Sequence, residues 1–221
     1  MSLSFALPGG RLFEDTKRLF GEIGLNIPEP ESRELITKDG PYSFVYAKAF
    51  DVPVYVEHGV DMGIVGGDVV EERECDLFIP LELPFGRCRI SVIGREGREI
   101  NPSDMEGYKV ATKYPKIASA FFDSIGVNVD ILKLYGSVEL GPKVGMSDVI
   151  VDIVDSGNTI KANGLKELYV ISDINAVLIV NRISQKTKFE EINEFINRIR
   201  KIKNEEAISK GLYNDFFKSI H

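Results

Sequence analysis

Short apolar segments alternate with segments of helical periodicity along most of this chain, and this alternation restricts its fold more than any other feature. The first apolar segment, Ser4–Leu7, leads through a Gly-Gly turn into Leu12–Gly24, where apolar residues recur every three or four positions. The same pattern predicts further helices at Ile117–Ile125, at Ile160–Leu165 and from Lys188 to about Ile208. Further strand-like segments are Phe44–Ala47, Met62–Val65, Arg89–Ile93, Lys109–Thr112, Val129–Leu134, Ile150–Val154, Leu168–Ile171 and Ala176–Asn181. This order predicts an α/β fold with layered, largely parallel sheets.

The alternating segments form two sets, separated by a loop rich in Gly, Arg and Glu at Gly94–Asn101. We therefore expect two lobes with a cleft between them: a discontinuous lobe of residues 1–93 and 179–221, and a second lobe of residues 94–178. The final helix has one apolar face, formed by Phe189, Ile192, Phe195, Ile196 and Ile199. That face fits packing on its own lobe or on a partner protein.

Composition excludes several classes of function. The net charge is −7, so no broad cationic field exists to attract nucleic acid or anionic lipid. Cys75 and Cys88 form no CxxC pair and only two histidines are present, which argues against a structural zinc site and a disulfide framework. No secretion signal and no stretch of about 18 apolar residues is found, so we expect a cytoplasmic protein.

The segment from Val149 to Thr159 carries the clearest chemical signal: an apolar strand runs into acidic residues and then a small polar loop. Gly157 permits a positive φ and close approach of the backbone to a ligand. Successive N–H groups, with the Ser156 and Thr159 hydroxyls, can hold a phosphate at a helix N-terminus. Asp152 or Asp155 can accept hydrogen bonds from ribose hydroxyls. The same residues also fit a strand, an Asx turn and a capped helix without a ligand, and both interpretations stay open here.

Four other positions have side chains suited to an anionic substrate. Glu139 lies between a strand and a Gly-Pro turn, and Lys113 follows a strand. Arg11 follows the first strand, and Asp68 closes a Gly-Gly-Asp turn. Taken singly, each also fits an ordinary solvated or structural residue.

Together, these segments resemble the ATP phosphoribosyltransferase family, which catalyses the first step of histidine biosynthesis. The resemblance covers nearly the whole chain, and its most specific block runs from Gly145 to Leu165. Its other blocks are Leu7–Leu12, Phe50–Val60, Asp61–Asp68, Thr112–Pro115 and Gly136–Leu140.

The resemblance implies a fold like that of type II periplasmic binding proteins, with the phosphoribosyl diphosphate (PRPP) loop in the second lobe. It also implies the reaction: N1 of ATP attacks C1 of PRPP, pyrophosphate leaves, and phosphoribosyl-ATP forms in the presence of Mg²⁺ carried by the substrates. Adenine N1 is an adequate nucleophile, so no general base is expected. Catalysis would rest on positioning and on electrostatic stabilisation of the departing anion.

The resemblance also implies roles for single residues. Ser156, Gly157 and Thr159 would hold the 5-phosphate, while Asp152 and Glu139 would hold the ribose hydroxyls or the Mg-pyrophosphate end. Lys113 and Lys48 would neutralise pyrophosphate. The residues implied for PRPP are Asp152, Asp155, Ser156, Gly157, Asn158 and Thr159. Those implied for ATP are Arg11, Arg33, Lys48 and Asp68, and those implied for catalysis are Arg11, Lys113, Glu139 and Asp152.

The chain departs from the family's usual pattern at several positions. Gly9 stands where Lys is usual, Lys48-Ala49 where Arg-Pro is usual, Gly141 where Ala is usual, and Ser156 where Thr is usual. The short stretch after Val180 matches the short form of the family, which acts as a homodimer with a regulatory subunit resembling a histidyl-tRNA synthetase. Two other hypotheses fit the same architecture: a solute-binding module, and a regulatory pseudoenzyme, which Gly9 and Lys48 would favour.

Overall fold

The computed structural model of this chain describes residues 2–29, 34–97 and 99–209. Its strands are β1 (Leu3–Pro8), β2 (Ile36–Asp39), β3 (Tyr42–Ala47), β4 (Met62–Gly66), β5 (Leu77–Glu82), β6 (Cys88–Arg95), β7 (Lys109–Thr112), β8 (Asp130–Lys133), β9 (Val149–Val154), β10 (Leu165–Ile174) and β11 (Ala176–Asn181). Its α-helices are α1 (Arg11–Glu22), α2 (Val52–Glu57), α3 (Gly67–Arg73), α4 (Pro115–Ser124), α5 (Leu140–Lys143), α6 (Asn158–Ala162), α7 (Arg182–Thr187) and α8 (Phe189–Ser209).

The chain divides into two compact units. The first comprises Met1–Gly86 with Ala176–His221, and the second comprises Arg87–Asn175. Each unit has its own mixed sheet: the strand order is β2-β3-β1-β4-β11-β5 in the first and β10-β6-β9-β7-β8 in the second. The α/β fold with mixed sheets is therefore confirmed.

In the first unit, the alternation of side chains along β1 separates two cores. Phe5 and Leu7 point into a large aromatic core on one face, while Ala6 points into a smaller core of Val, Leu and Ile side chains on the other. Strand β1 pairs in parallel with β3 and β4, and β4 pairs with β11 in antiparallel orientation. Both faces of β1 are consequently buried, which explains why Ser4–Leu7 is apolar almost throughout.

Helix α8 packs on the first unit. Ile192, Phe195, Ile196 and Ile199 are all buried, and the Phe195 ring centroid lies 5.0 Å from that of Phe5. Phe189 has the spacing of this face but does not share its environment, because it is 60% exposed. As the first residue of α8, it lies beyond the end of the core that the later turns cover.

In the second unit, β7 pairs in parallel with both β8 and β9, and β9 pairs in antiparallel orientation with β6. Ile93, Ala111 and Ile150 lie side by side on three neighbouring strands and are buried in one core. The carboxyl ends of β7, β8 and β9 point the same way, so the loops that follow them lie at one edge of the sheet.

Several sequence-based boundaries need correction. The helix expected at Ile160–Leu165 is α6, which begins at Asn158 and ends at Ala162, while Leu165 already starts β10. Strands β2 and β5 were not predicted. Both lie at the edges of the first sheet, where Ile36 and Ile79 are about half exposed, so neither strand shows the continuous apolar run of a buried one.

Candidate functional site

The predicted phosphate loop follows β9 directly. Gly157 has φ +77° and ψ 1°, a left-handed conformation that glycine adopts without strain and that turns the chain into α6. Asp155, Ser156, Asn158 and Thr159 are all exposed, so their polar groups are accessible to a ligand. Because α6 has only five residues, its dipole contributes little to the binding of an anion. The loop's own N–H groups and hydroxyls remain as the donors.

Asp152 and Lys113 form an ion pair beside this loop. Thr112 is the last residue of β7 and pairs with Val151 of β9, which places Lys113 at the level of Asp152. The Lys113 Nζ atom lies 3.4 Å from Asp152 Oδ1, and the two side chains are 30% and 22% exposed. The pair therefore joins the ends of two parallel strands.

Burial raises the pKa of Asp152, the Lys113 ammonium opposes this, and the charge of Glu139 adds to the rise. The resulting pKa is above the ordinary value of an aspartate. Since Glu139 acts on Asp152 through its charge, the structure brings Lys113, Asp152 and Glu139 into one electrostatic neighbourhood.

Glu139 is held by a turn that precedes α5. Ser137 has φ +49°, and the Leu140 N–H donates to the Ser137 carbonyl at 3.1 Å. Val138 is buried in the core of the second unit, so its neighbour Glu139 is fixed at the sheet edge. Glu139 itself is half-buried.

Two further residues, which were not predicted as site residues, support the ends of β7 and β9. Thr112 is fully buried: its Oγ1 donates to the Val151 carbonyl at 2.7 Å and accepts from the Tyr114 N–H at 2.8 Å. The hydroxyl thereby ties the residue before Lys113 to the residue before Asp152. Its position at the end of a predicted strand could have suggested this role for Thr112. Threonine is common at strand ends, however, so the position alone is not specific.

Arg89 is the second supporting residue. It is the second residue of β6 and pairs with Val154 of β9. Its Nε donates to both carboxylate oxygens of Glu167, at 3.0 and 2.8 Å, and its Nη1 donates to the Asp155 carbonyl at 3.3 Å. No local pattern reveals this contact, because β6 and β9 are far apart in sequence.

In the first unit, β1, β3 and β4 are parallel, and three of the four residues predicted to contact ATP follow their carboxyl ends. Arg11 and Lys48 are exposed. Asp68 is buried, with its carboxylate against the backbone of Gly66: a Cβ added at Gly66 would lie 2.1 Å from Asp68 Oδ1. Arg33, the fourth predicted contact, lies outside the described residues.

The structure explains one of the departures from the family pattern. A Cβ added at Gly141 would lie 2.6 Å from Ser147 Oγ and 3.2 Å from Ala111 Cβ, so glycine suits this packing. A Cβ at Gly9 would meet nothing within 4 Å, and nothing in the structure explains the absence of a side chain there. The exposed Lys48 and Ser156 likewise have no structural explanation.

Within residues 2–29, 34–97 and 99–209, no group of three His, Cys, Asp or Glu side chains is arranged to hold a metal ion. Cys75 and Cys88 are not joined by a disulfide. In that same part of the chain, no helix is both long enough and apolar enough to cross a membrane.

Fold and site together define a class: an α/β protein of two units in which polar loops follow the carboxyl ends of parallel strands, as in type II periplasmic binding proteins. A structure of the substrate binding protein of an amino acid ABC transporter shares this fold, with a TM-score of 0.60 and 14% identity over 95% of this chain and 96% of that one.

The family model described as "HisG: ATP phosphoribosyltransferase" matches residues 48–201, and the chain belongs to this family. It is 60% identical over 203 residues to the ATP phosphoribosyltransferase of Petrotoga mobilis, covering 92% of this chain and 97% of that protein. It also matches the ATP phosphoribosyl transferase (HisG:HisZ) complex from Thermotoga maritima, with a TM-score of 0.80 and 34% identity over 92% of this chain and 99% of that one.

Proposed function

We propose that this protein transfers the 5-phosphoribosyl group of PRPP to N1 of ATP, giving phosphoribosyl-ATP and pyrophosphate, the first step of histidine biosynthesis. The observation that carries this proposal is the Lys113–Asp152 ion pair beside the exposed Asp155–Thr159 loop. The pair and the loop occur in a chain 60% identical to a protein named ATP phosphoribosyltransferase. The likeness to a substrate binding protein, at 14% identity, supports the fold alone.

The second unit supplies the groups that PRPP needs. The loop N–H groups and the Ser156 and Thr159 hydroxyls bind the 5-phosphate, while Asp152 accepts hydrogen bonds from the ribose hydroxyls. As pyrophosphate leaves, positive charge develops at C1 and negative charge develops on the leaving group. Asp152 stabilises the positive charge at C1, and Lys113 stabilises the negative charge on pyrophosphate. Both side chains are half-buried, and charges there interact more strongly than in water.

ATP is assigned to the first unit. Arg11 and Lys48 are exposed cations that follow the carboxyl ends of β1 and β3, where they can contact triphosphate oxygens. Asp68 is buried against Gly66 and orders the turn after β4. Arg33 is also assigned to ATP, as the family resemblance implies. Adenine N1 attacks C1 without a general base because it already carries a lone pair.

Mg²⁺ fits the carboxylates of the second unit. Magnesium is usually bound by one or two carboxylates together with substrate phosphates. Asp152 and Glu139 supply two such carboxylates, near enough for the charge of Glu139 to raise the pKa of Asp152. The ion would reach the site on PRPP and supply charge neutralisation for the pyrophosphate.

The proposal extends to assembly and location. A structure with 34% identity is titled as a complex of HisG with HisZ. We infer that this chain likewise assembles with a second, regulatory subunit, which the resemblance implies is similar to a histidyl-tRNA synthetase, and that it forms a homodimer. We also infer a cytoplasmic location, which suits a biosynthetic enzyme.

The direct test is to incubate the protein with ATP, PRPP and Mg²⁺ and to follow the absorbance of phosphoribosyl-ATP. We expect product, with a rate that rises when the regulatory subunit is added. Isothermal titration calorimetry with PRPP alone provides a second measurement that does not depend on turnover. The proposal is wrong if neither turnover, with the regulatory subunit present, nor PRPP binding is detected.

A second prediction concerns Arg89. The carbonyl of Asp155 and the N–H of Ser156 belong to one trans peptide and point in opposite directions. By donating to that carbonyl, Arg89 fixes the direction of the Ser156 N–H. Replacing Arg89 with Met should raise the KM for PRPP about 10-fold, the effect of one lost hydrogen bond to a charged group, with a smaller change in the KM for ATP.

The matched control for this prediction is Arg182→Met. Arg182 also donates from Nε to a carboxylate, that of Asp76 at 3.1 Å, but it lies in the first unit and its side chain is 52% exposed. Steady-state kinetics should show no change in the control. Equal KM values for PRPP in Arg89→Met and the wild type would contradict the assigned role.

A further inference from the structure

Three neighbouring strands of the second unit carry a row of polar side chains next to the apolar core. Ser91 of β6 pairs directly with Asp152 of β9, and Lys113 follows β7 at the same level. The adjacent row on the same face, Ile93 with Ile150 and Ala111, is buried and apolar. Ser91 therefore lies on the core face of the sheet, directly opposite Asp152.

Ser91 and Asp152 each have a buried oxygen atom without a hydrogen bond. Ser91 is fully buried, and neither its Oγ nor Asp152 Oδ1 has a hydrogen-bond partner among residues 2–29, 34–97 and 99–209. Lys113 Nζ pairs with Oδ1 electrostatically, but 3.4 Å is long for a hydrogen bond. Buried polar groups are nearly always paired, so an unpaired Ser91 hydroxyl directly opposite a carboxylate oxygen whose one contact is a long ion pair requires an explanation.

Their register brings the two side chains together. Directly opposed residues of an antiparallel pair have Cβ atoms about 4.5–5.5 Å apart, and their side chains point to the same face. A Ser hydroxyl is free to rotate and can donate, whereas an ionised carboxylate only accepts. The pairing places the Ser91 hydroxyl and the Asp152 carboxylate on adjacent side chains of one face, where rotation of the Asp152 side chain can direct Oδ1 toward the hydroxyl.

We propose that Ser91 is a positioning residue for Asp152, donating a hydrogen bond to Oδ1 when the carboxylate holds the ribose of PRPP. This inference rests on the proposed function. Ser91 and Lys113 then share Oδ1 from the β6 and β7 sides, and Oδ2 is directed to the ribose hydroxyls. Ser91 itself does not touch the substrate.

The chain offers a matched control in Ser147. Its Oγ is also buried and without a hydrogen-bond partner in the described part of the chain, and it belongs to the same unit. It packs against Gly141 rather than opposite a predicted site carboxylate. If both serines were merely small packing residues, Ser91→Ala and Ser147→Ala would behave alike.

The experiment compares wild type, Ser91→Ala, Ser147→Ala, Asp152→Asn and the Ser91→Ala/Asp152→Asn double variant. Ser91→Ala should lower kcat/KM for PRPP about 10-fold, as expected for a lost hydrogen bond to a charged group, while its melting temperature stays equal or rises. Ser147→Ala should retain wild-type kinetics. In the Asp152→Asn background, Ser91→Ala should cause a smaller loss, because the hydrogen bond then goes to a neutral amide oxygen instead of the carboxylate.

Kinetics of Ser91→Ala equal to those of Ser147→Ala would overturn the inference, as would an equal loss in the Asp152→Asn background. If the wild type is active, either of these results contradicts this inference alone and not the proposed function. If the wild type neither forms phosphoribosyl-ATP nor binds PRPP in the calorimeter, the proposed function and this inference both fail.

Discussion

Replacing Asp152 with Asn should lower kcat by about 10²–10³-fold, the range found when one preorganised electrostatic contact is removed from an active site. Asn has the same shape but no negative charge, so it cannot stabilise the positive charge that develops at C1 of the ribose. The ion pair with Lys113 is lost as well, which leaves that ammonium without its partner in the site. PRPP binding should weaken less than turnover, because an amide can still accept a hydrogen bond from a ribose hydroxyl.

The same substitution should not destabilise the fold, and its effect on stability should depend on pH. Burial raises the pKa of Asp152 above that of an unfolded aspartate, despite the opposing charge of Lys113. The folded state therefore binds the proton more tightly, and the free energy of unfolding falls as pH rises between the ordinary and the raised pKa. Asn cannot ionise, so the melting temperature of the variant should increase relative to that of the wild type as pH rises through this interval.

Asp148→Asn is the control for both measurements. Asp148 directly precedes the same strand, β9, at its amino end, where its Oδ2 accepts from the Lys109 N–H at 3.0 Å. An Asn oxygen can accept the same hydrogen bond, so activity should be unchanged. Asp152→Asn with near-wild-type kcat would remove Asp152 from the catalytic residues.

Replacing Asp61 with Asn should lower the free energy of unfolding by about 3–5 kcal/mol, the usual cost of breaking a buried, hydrogen-bonded ion pair. The Asp61 side chain is only 4% exposed. Its Oδ2 accepts from the Ser4 N–H at 2.8 Å, from the Ser4 hydroxyl at 2.9 Å and from Lys188 Nζ at 2.8 Å, while Oδ1 accepts from the Ser184 hydroxyl at 2.7 Å. An Asn side chain would turn an NH₂ group toward some of these donors and leave the Lys188 charge uncompensated.

The Asp61 effect should also depend on pH, with the opposite sign to that of Asp152. Burial alone would raise the pKa of Asp61, but hydrogen bonds from Lys188, Ser184 and Ser4 lower it below the ordinary value of 3.8. The stabilisation is therefore present above about pH 4 and is lost as pH falls through the lowered pKa. The difference in the free energy of unfolding between wild type and Asp61→Asn should therefore decrease as pH falls over the same range.

Urea unfolding followed by far-UV circular dichroism is the suitable measurement, because the chain contains no tryptophan. The control is Asp76→Asn, which removes an ion pair with Arg182 whose side chains are 80% and 52% exposed. Exposed pairs contribute about 0–1 kcal/mol, so the control should remain close to wild type. A loss at Asp61 no larger than that at Asp76 would show that the buried pair contributes little to stability.

The phosphate loop shows how far local sequence can predict a site. The strand, the acidic residues and Gly157 are contiguous, so a strand followed by a turn was predictable from residues 149–159 alone. The length of α6 was not, because Leu165 and its neighbours pair with β6 as part of β10. Tertiary pairing overrode the helical spacing in that segment.

Local periodicity and contiguous motifs in the sequence were enough to predict the α/β class, the family, and the strands that precede Arg11 and Lys113 and contain Asp152. Which strands are neighbours could be learned only from the three-dimensional structure. The antiparallel register of β6 and β9 places Ser91 opposite Asp152 and lets Arg89 reach the Asp155 carbonyl. These residues lie some 60 positions apart in the chain, and pairing over such distances depends on the whole sheet rather than on local sequence.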